Sequence, residues 1–143
     1  MPEESDTVNF RPSMGPRVLV EATEWAARET IAAILRDKGY TVIGCPGPQG
    51  PDDPCPLVAT GECNAAKEAD VIVHTLRHSD ERNREVLLAL QRHYPDIPLV
   101  VEVPSPTVER FAEDFRDCNV VTFPMTSAAL LAGVRTALAA PGS

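Results

Sequence analysis

The sequence lacks the short motifs that mark phosphate-binding and hydrolytic sites. It contains no G-x-G-x-x-G and no G-x-x-x-x-G-K-[ST], so a glycine-rich phosphate cradle is not predicted. It also contains no G-x-S-x-G, the turn that carries the nucleophile of many hydrolases. Because convergent acid, base or phosphate-binding groups do not stand out, we expect no enzymatic activity.

Basic residues and long apolar segments are also scarce. The 143 residues include 13 Lys and Arg against 21 Asp and Glu, which gives a formal net charge of −8 and a pI of about 4.8. Because an acidic surface repels phosphate backbones, we expect no nucleic-acid partner. No apolar run approaches the ~20 residues that span a bilayer, and the first residues do not resemble a secretion signal. We therefore expect a cytoplasmic protein that makes no membrane contact.

Two kinds of apolar segment alternate along the chain. Aliphatic runs predict strands at 17–23, 40–45, 70–76, 97–103 and 119–123. Apolar residues at helical spacing predict helices at 24–39, 80–94 and 126–140, and Ser105-Pro106 begins another helix. Ser79 is the predicted N-cap of the helix at 80–94. Residues 1–16 show no apolar period, so we expect a disordered tail.

This alternation predicts one α/β domain over residues 17–140. Strands that are apolar throughout belong to parallel sheets covered by helices on both faces, here as a three-layer sandwich. The expected strand order is 2-1-3-4-5, the flavodoxin-like order, which places a functional site at the carboxyl ends of strands 1 and 3. The second helix is degraded, because residues 46–64 are rich in Pro and Gly and only 65–69 can form one or two turns.

Four segments of the chain resemble the receiver domains of response regulators, the phosphorylated modules of two-component signalling. The segments, in the positions of the first, third, fourth and fifth strands, are RVLVEATE, EADVIVHTL, DIPLVVEVPSP and VVTFPMT. The resemblance covers residues 17–140 and implies a flavodoxin-like fold. It also implies a site in which acidic residues hold Mg²⁺, an aspartate accepts phosphate, and a Thr or Ser and a Lys complete the pocket.

The residues at the positions of this implied site do not suit phosphoryl chemistry. Glu21 matches the first acidic position, but its neighbour is Ala22, and Thr75 stands at the aspartate position. Val103 replaces the hydroxyl residue, and Phe123 replaces the lysine. One carboxylate holds Mg²⁺ weakly, a threonine is a poor nucleophile at neutral pH, and a phenylalanine carries no charge for phosphate. The resemblance therefore implies a pseudo-receiver that lacks the phosphoacceptor Asp.

Ordinary structural roles compete with ligand-binding roles at the same edge of the sheet. We expect Glu21 to be a solvated loop carboxylate and the Thr75 hydroxyl to be satisfied by a hydrogen bond at the end of its strand. A shift of one residue in the third strand would place His74 at the aspartate position instead. His74 and His78 are expected to be hydrogen-bonded rather than metal-bound.

Three of the four cysteines lie in the segment that replaces the second helix. Cys45, Cys55 and Cys63 follow the spacing C-x9-C-x7-C, which contains no C-x2-C pair. They could be free thiols, two of them could form a disulfide that acts as a redox switch, or all three could bind zinc or an iron–sulfur cluster with His78 or His74. The spacing leaves these alternatives open. The fourth cysteine precedes strand 5 and is expected to stand apart, at the opposite edge of the sheet.

The sequence favours a non-catalytic signalling module that acts by docking to proteins. Receiver relatives often associate through their fourth helix, fifth strand and fifth helix, so this face is a candidate interface for a protein partner or a homodimer. Its charged residues are Glu109, Arg110, Glu113, Arg116 and Arg135. The alternative is a redox or metal sensor that uses the loop of Cys45, Cys55 and Cys63.

Overall fold

A computed structural model describes residues 15–50 and 52–139 of the chain. The strands in this part are β1 (Arg17–Glu21), β2 (Thr41–Cys45), β3 (Val71–His74), β4 (Leu99–Val103) and β5 (Asn119–Thr122). Each strand falls within the segment that the sequence predicts. The predicted disordered tail at 1–16 lies outside the described residues, except for Gly15 and Pro16.

Helices connect the strands within the same part of the chain. They are α1 (Trp25–Asp37), α2 (Pro56–Thr60), α3 (Asn64–Glu68), α4 (Glu81–His93), α5 (Ser105–Arg110) and α6 (Ser127–Ala139), with a 3-10 helix at Ala112–Phe115. The prediction that Ser79 caps α4 is wrong, because the N-cap is Asp80, whose Oδ1 accepts a hydrogen bond from the Arg82 backbone N at 3.0 Å. Among the described helices, none is long and apolar enough to cross a membrane.

The strands form one parallel sheet in the order β2-β1-β3-β4-β5. This confirms the predicted α/β fold with flavodoxin-like topology. Since the strands are parallel, their carboxyl ends meet at one edge of the sheet. At that edge the register places Glu21 of β1 between Cys45 of β2 and His74 of β3. Polar residues that are distant in the chain therefore become neighbours.

Apolar side chains cover both faces of the sheet, and on each face they pack against a layer of helices. On the first face, Leu19 and Ile72 pack with buried residues of α2, α3, α4 and the 3-10 helix. On the second face, Val20 and Val73 pack with buried residues of α1 and α6. Burying one such side chain stabilises the fold by roughly 1.5–3 kcal/mol. Strands that are apolar on both sides thus require helices on both sides, which explains the three layers.

The sequence predicts no long crossover helix between β2 and β3. In the structure this segment contains two short helices, α2 and α3. Leu57 of α2 and Ala66 of α3 are fully buried and anchor this segment to the first face. Gly47 adopts a φ of 81° and lies against Leu76, since a Cβ at position 47 would be 2.9 Å from Leu76 Cδ1. The segment is therefore held by a few close contacts rather than by a continuous helical face.

Candidate functional site

A cavity of about 660 Å³ opens at the carboxyl edge of the sheet. The end of β4 and the loops after β1, β3, β4 and β5 form most of its wall, which includes Ala22, Thr75, Val103 and Phe123. The structure thus brings together four of the five positions at which the resemblance implies a phosphorylation site. The fifth, Glu21, is buried on the first face of the sheet instead.

Glu21 forms a buried pair with His74 at the ends of β1 and β3. Glu21 is 5% exposed and His74 is fully buried, and His74 Nδ1 donates to Glu21 Oε1 at 2.6 Å. The expectation that Glu21 is a solvated loop carboxylate is therefore wrong. It fails because Glu21 is the last residue of β1, so the alternation of the strand turns its side chain to the covered first face. The hydrogen bond compensates for part of the cost of burying the carboxylate.

Thr75 has the structural role that the sequence suggests. Its Oγ1 donates to the Glu21 carbonyl oxygen at 2.9 Å, and its backbone N donates to the same oxygen at 2.8 Å. These bonds attach the end of β3 to the end of β1. A hydroxyl whose proton is held by a carbonyl is not activated for attack, so Thr75 is a weak nucleophile.

His78 is held by a carboxylate and two aromatic rings. Its Nε2 donates to Asp114 Oδ2 at 2.9 Å, and its ring centroid lies 4.9 Å from that of Phe111 and 4.5 Å from that of Phe115. Burial lowers the pKa of His78, although the hydrogen bond to Asp114 opposes the shift. The expected hydrogen-bonded role of His78 is present, and its Nε2 faces a carboxylate rather than a thiol.

Asp114 links three elements around His78. Its Oδ2 accepts from Arg84 Nε at 2.7 Å as well as from His78, and its backbone oxygen accepts from Gln91 Nε2 at 2.8 Å. Arg84 and His78 together hold the pKa of the Asp114 carboxyl below its usual range. The loop after β3, helix α4 and the 3-10 helix are thereby joined at one carboxylate. Sequence reasoning missed this residue, because Arg84 and His78, the partners of its carboxylate, are 30 and 36 positions away and no local pattern relates them.

The three loop cysteines pack as partly buried residues against the first-face core. Within the described chain, Cys45, Cys55 and Cys63 are free thiols. Burial, with help from the charge of Glu21, raises the pKa of Cys45 to about 11, and burial also raises the pKa of Cys55. The described residues contain no group of three or more His, Cys, Asp or Glu side chains arranged to hold a metal ion. The redox and metal roles stay predictions.

The fourth cysteine, Cys118, lies next to β5, at the sheet edge opposite β2, as expected. Its Sγ is 3.4 Å from Gln91 Nε2, and burial raises its pKa to about 11. It packs against the same first-face core as the other thiols. We infer a packing role for it.

The candidate docking face combines exposed charges with exposed apolar surface. Arg116 Nη1 lies 2.9 Å from Glu113 Oε1, and both side chains are well exposed. Arg110 lies over the Phe111 ring, with 5.3 Å between its guanidinium carbon and the ring centroid. Val120 of β5 is 40% exposed, because β5 is an edge strand in which only alternate residues are covered. The sequence did not indicate this exposure.

The comparisons with known proteins concern structure. The sequence matches no protein-family model and none of the curated proteins. A response regulator receiver domain protein from Clostridium thermocellum is similar in structure, with 14% identity, a TM-score of 0.65 and coverage of 86% of this chain and 94% of that one. A putative pilus assembly protein (CpaE) from Burkholderia thailandensis has 16% identity, a TM-score of 0.68 and coverage of 87% and 99%.

A CheY-like receiver domain protein from Methanospirillum hungatei has 14% identity, a TM-score of 0.63 and coverage of 87% of this chain and 94% of that one. At such identities the likeness concerns architecture and carries no information on individual site residues. The chain has the fold of response-regulator receiver domains.

Proposed function

We propose that this protein is a pseudo-receiver, a non-catalytic signalling module that docks to other proteins without aspartyl phosphorylation. The observation that carries the proposal is the composition of the cavity at the carboxyl edge. Ala22, Thr75, Val103 and Phe123 line it at the positions where the receiver resemblance implies a second acidic residue, an aspartate, a hydroxyl and a lysine. The receiver fold supports a signalling role.

The side chains around the cavity explain why phosphoryl transfer is not expected. Mg²⁺ needs several oxygen ligands in a near-octahedral arrangement, and the Glu21 carboxylate is already engaged by His74 on the first face. The Thr75 hydroxyl donates to a carbonyl. Phe123 offers an apolar ring where a cation would neutralise the transferred group.

Docking is proposed to occur through α5, the 3-10 helix, β5 and α6, a surface called here the β5 face. Its exposed residues include acidic and basic side chains together with the partly exposed Val120, a composition that suits an interface with apolar and polar parts. The same mixture is self-complementary in charge, so a homodimer through this face is part of the proposal. A cytoplasmic location remains a prediction.

A redox or metal sensor based on Cys45, Cys55 and Cys63 has less support. A reactive thiol needs a depressed pKa and solvent access, whereas burial raises the pKa of Cys45 to about 11. The carboxylate of Glu21 acts in the same direction. We therefore keep protein docking as the proposed function.

Treatment with acetyl phosphate and Mg²⁺ tests the phosphorylation part of the proposal. Intact mass should show no phosphoryl adduct, and amide resonances of Ala22, Thr75 and Phe123 should not move in NMR spectra when a beryllium fluoride mimic is added. An adduct that is lost on hydroxylamine treatment, which cleaves acyl phosphates, would contradict the proposal.

Sedimentation equilibrium tests the docking part. We expect a dimer in the wild-type protein that Val120→Glu weakens by at least about tenfold, because a buried carboxylate at an apolar contact lacks a partner. Val58→Glu is the matched control, since Val58 is also 40% exposed but lies in α2, away from the β5 face. A wild-type protein that stays monomeric at high concentration would exclude the homodimer.

A further inference from the structure

Strand β5 forms one outer edge of the sheet, and its backbone groups point in two directions. The Phe123 backbone N donates to the Val103 carbonyl oxygen at 3.1 Å, and Val103 has Thr122 as its Cα partner. Because the backbone groups of successive residues in a strand point to opposite sides, Val121 points inward to β4 like Phe123. The N–H and C=O groups of Val120 and Thr122 therefore point away from β4, out of the sheet.

These outward groups have no hydrogen-bond partner among the described residues. In that part of the chain β5 pairs with β4 alone, and the hydrogen bonds of loops and side chains do not involve the backbone of Val120 or Thr122. Thr122 is exposed, and Val120 is 40% exposed. The edge thus presents free backbone donors and acceptors next to two uncovered β-branched side chains.

The opposite outer edge of the sheet, β2, is partly covered. The Thr41 backbone N donates to the Pro16 carbonyl oxygen at 2.9 Å, so Thr41 points inward to β1 and Val42 points outward. The outward carbonyl oxygen of Val42 accepts from Arg36 Nη2 at 3.1 Å. Charged side chains at a sheet edge are a common protection against pairing with another chain. The residues of β5, NVVT, include no charged residue and no proline that would block pairing.

We propose that β5 pairs with β5 of a second copy of this chain, antiparallel and about a two-fold axis, so that the two sheets become continuous. The proposal rests on the proposed docking function and specifies how the β5 face joins two copies. Opposed residues of an antiparallel pair can exchange both N–H···O bonds. Val120 opposite Thr122 of the second copy forms such a pair, and the axis repeats it. Every outward group of these residues then has a partner.

The side chains that this register opposes are compatible with a second copy. Val121 packs on the second face, so Val120 and Thr122 lie on the first face and meet there as β-branched neighbours. Residues 119–123 carry no charge, so the pairing opposes no like charges although each copy has a net charge of −8. A strand of 4 residues is short for a standard interface of about 1,600 Å², so the dimer is expected to be weak.

Amide hydrogen exchange of the full chain, followed by NMR at several protein concentrations, tests the proposal. The outward amides of Val120 and Thr122 should exchange fast in dilute protein. They should slow by at least about fivefold where sedimentation shows mostly dimer, because the second copy protects them. The inward amides of Val121 and Phe123 are bonded to β4 already, so their rates should change by less than about twofold.

A proline at position 122 separates backbone pairing from side-chain contact. Thr122→Pro removes an outward N–H but no hydrogen bond to β4, so it should keep the fold and weaken the dimer by at least about tenfold. Thr122→Val is the matched control, since it keeps the N–H and the β-branched shape, and it should change dimerisation by less than about twofold. If Thr122→Pro perturbs the fold, the exchange measurement on the wild-type chain still decides.

The proposal is overturned if the protein dimerises while Val120 and Thr122 exchange at the same rates at all concentrations. It is also overturned if a folded Thr122→Pro variant dimerises as tightly as the wild type. In both cases docking through side chains of the β5 face would survive, because the sedimentation test with Val120→Glu does not require backbone pairing. A protein that stays monomeric at high concentration would exclude this pairing together with the homodimer.

Discussion

His74 Nδ1 donates a hydrogen bond of 2.6 Å to Glu21 Oε1 between β3 and β1. The neighbouring side chains of these strands on the first face, Leu19 and Ile72, are apolar. The pair is enclosed on the first face, and His74 Nε2 has no partner among the described residues. A buried pair of this kind stabilises little as a whole, because desolvation offsets attraction, but losing one member leaves the other uncompensated.

We therefore predict that Glu21→Ala lowers the free energy of unfolding by about 3–5 kcal/mol, measured by urea denaturation. The double variant Glu21→Leu/His74→Leu should recover most of that loss, since two apolar side chains suit the surrounding core. Glu62→Ala, at an exposed site, should change stability by less than about 0.5 kcal/mol. If the double variant lost as much free energy of unfolding as Glu21→Ala, or more, the result would contradict a coupled pair.

The lowered pKa of His78 predicts a pH dependence of stability. Burial places the pKa of the folded protein below the 6.5 of an unfolded chain, with Asp114 opposing the shift and His74 and Arg84 assisting it. Between the two values the unfolded chain binds more protons, so the free energy of unfolding rises with pH. This contribution is complete above pH 6.5 and is lost as pH falls towards the pKa of the folded protein.

Denaturation curves at several pH values between about 5 and about 8 measure this effect. One proton contributes a slope of at most about 1.4 kcal/mol per pH unit, and His78→Gln should remove that part of the slope. The carboxyl of Asp114 does not interfere, because its pKa is lowered from 3.8 and it titrates in a more acidic range. An identical slope in wild type and His78→Gln would exclude His78 as its source.

The fold was predictable because the information is local. Continuous aliphatic runs, such as the one that becomes β3, belong to strands covered on both faces, and their alternation with helices leaves few topologies. The same strand assignment placed Ala22, Thr75 and Phe123 just after the ends of β1, β3 and β5, where the cavity opens. The pairing of Glu21 with His74 and the role of Asp114 were not predictable, since both depend on the side-chain direction at an element's end and on partners distant in the chain.

The raised pKa values of two partly buried thiols predict slow native-state alkylation. With a pKa of about 11, Cys45 and Cys118 hold a very small thiolate fraction near neutral pH, and the thiolate is the reacting form. Iodoacetamide labelling followed by intact mass should be much slower in the folded protein than in urea. Equal rates, or a mass decrease of two hydrogens on mild oxidation without unfolding, would instead support the cysteine-loop sensor.

The close packing of Gly47 against Leu76 predicts that the segment between β2 and β3 is sensitive to one methyl group. Gly47→Ala introduces a Cβ 2.9 Å from Leu76 Cδ1 and forces an L side chain to a φ of 81°, so it should cost about 1–3 kcal/mol in urea denaturation. Gly39→Ala is the matched control, because Gly39 has a φ of 93° but no atom within 4 Å of its added Cβ. The excess loss for Gly47 measures how firmly this segment is seated on the core. Equal losses would mean that the backbone angle alone matters and that Leu76 yields freely.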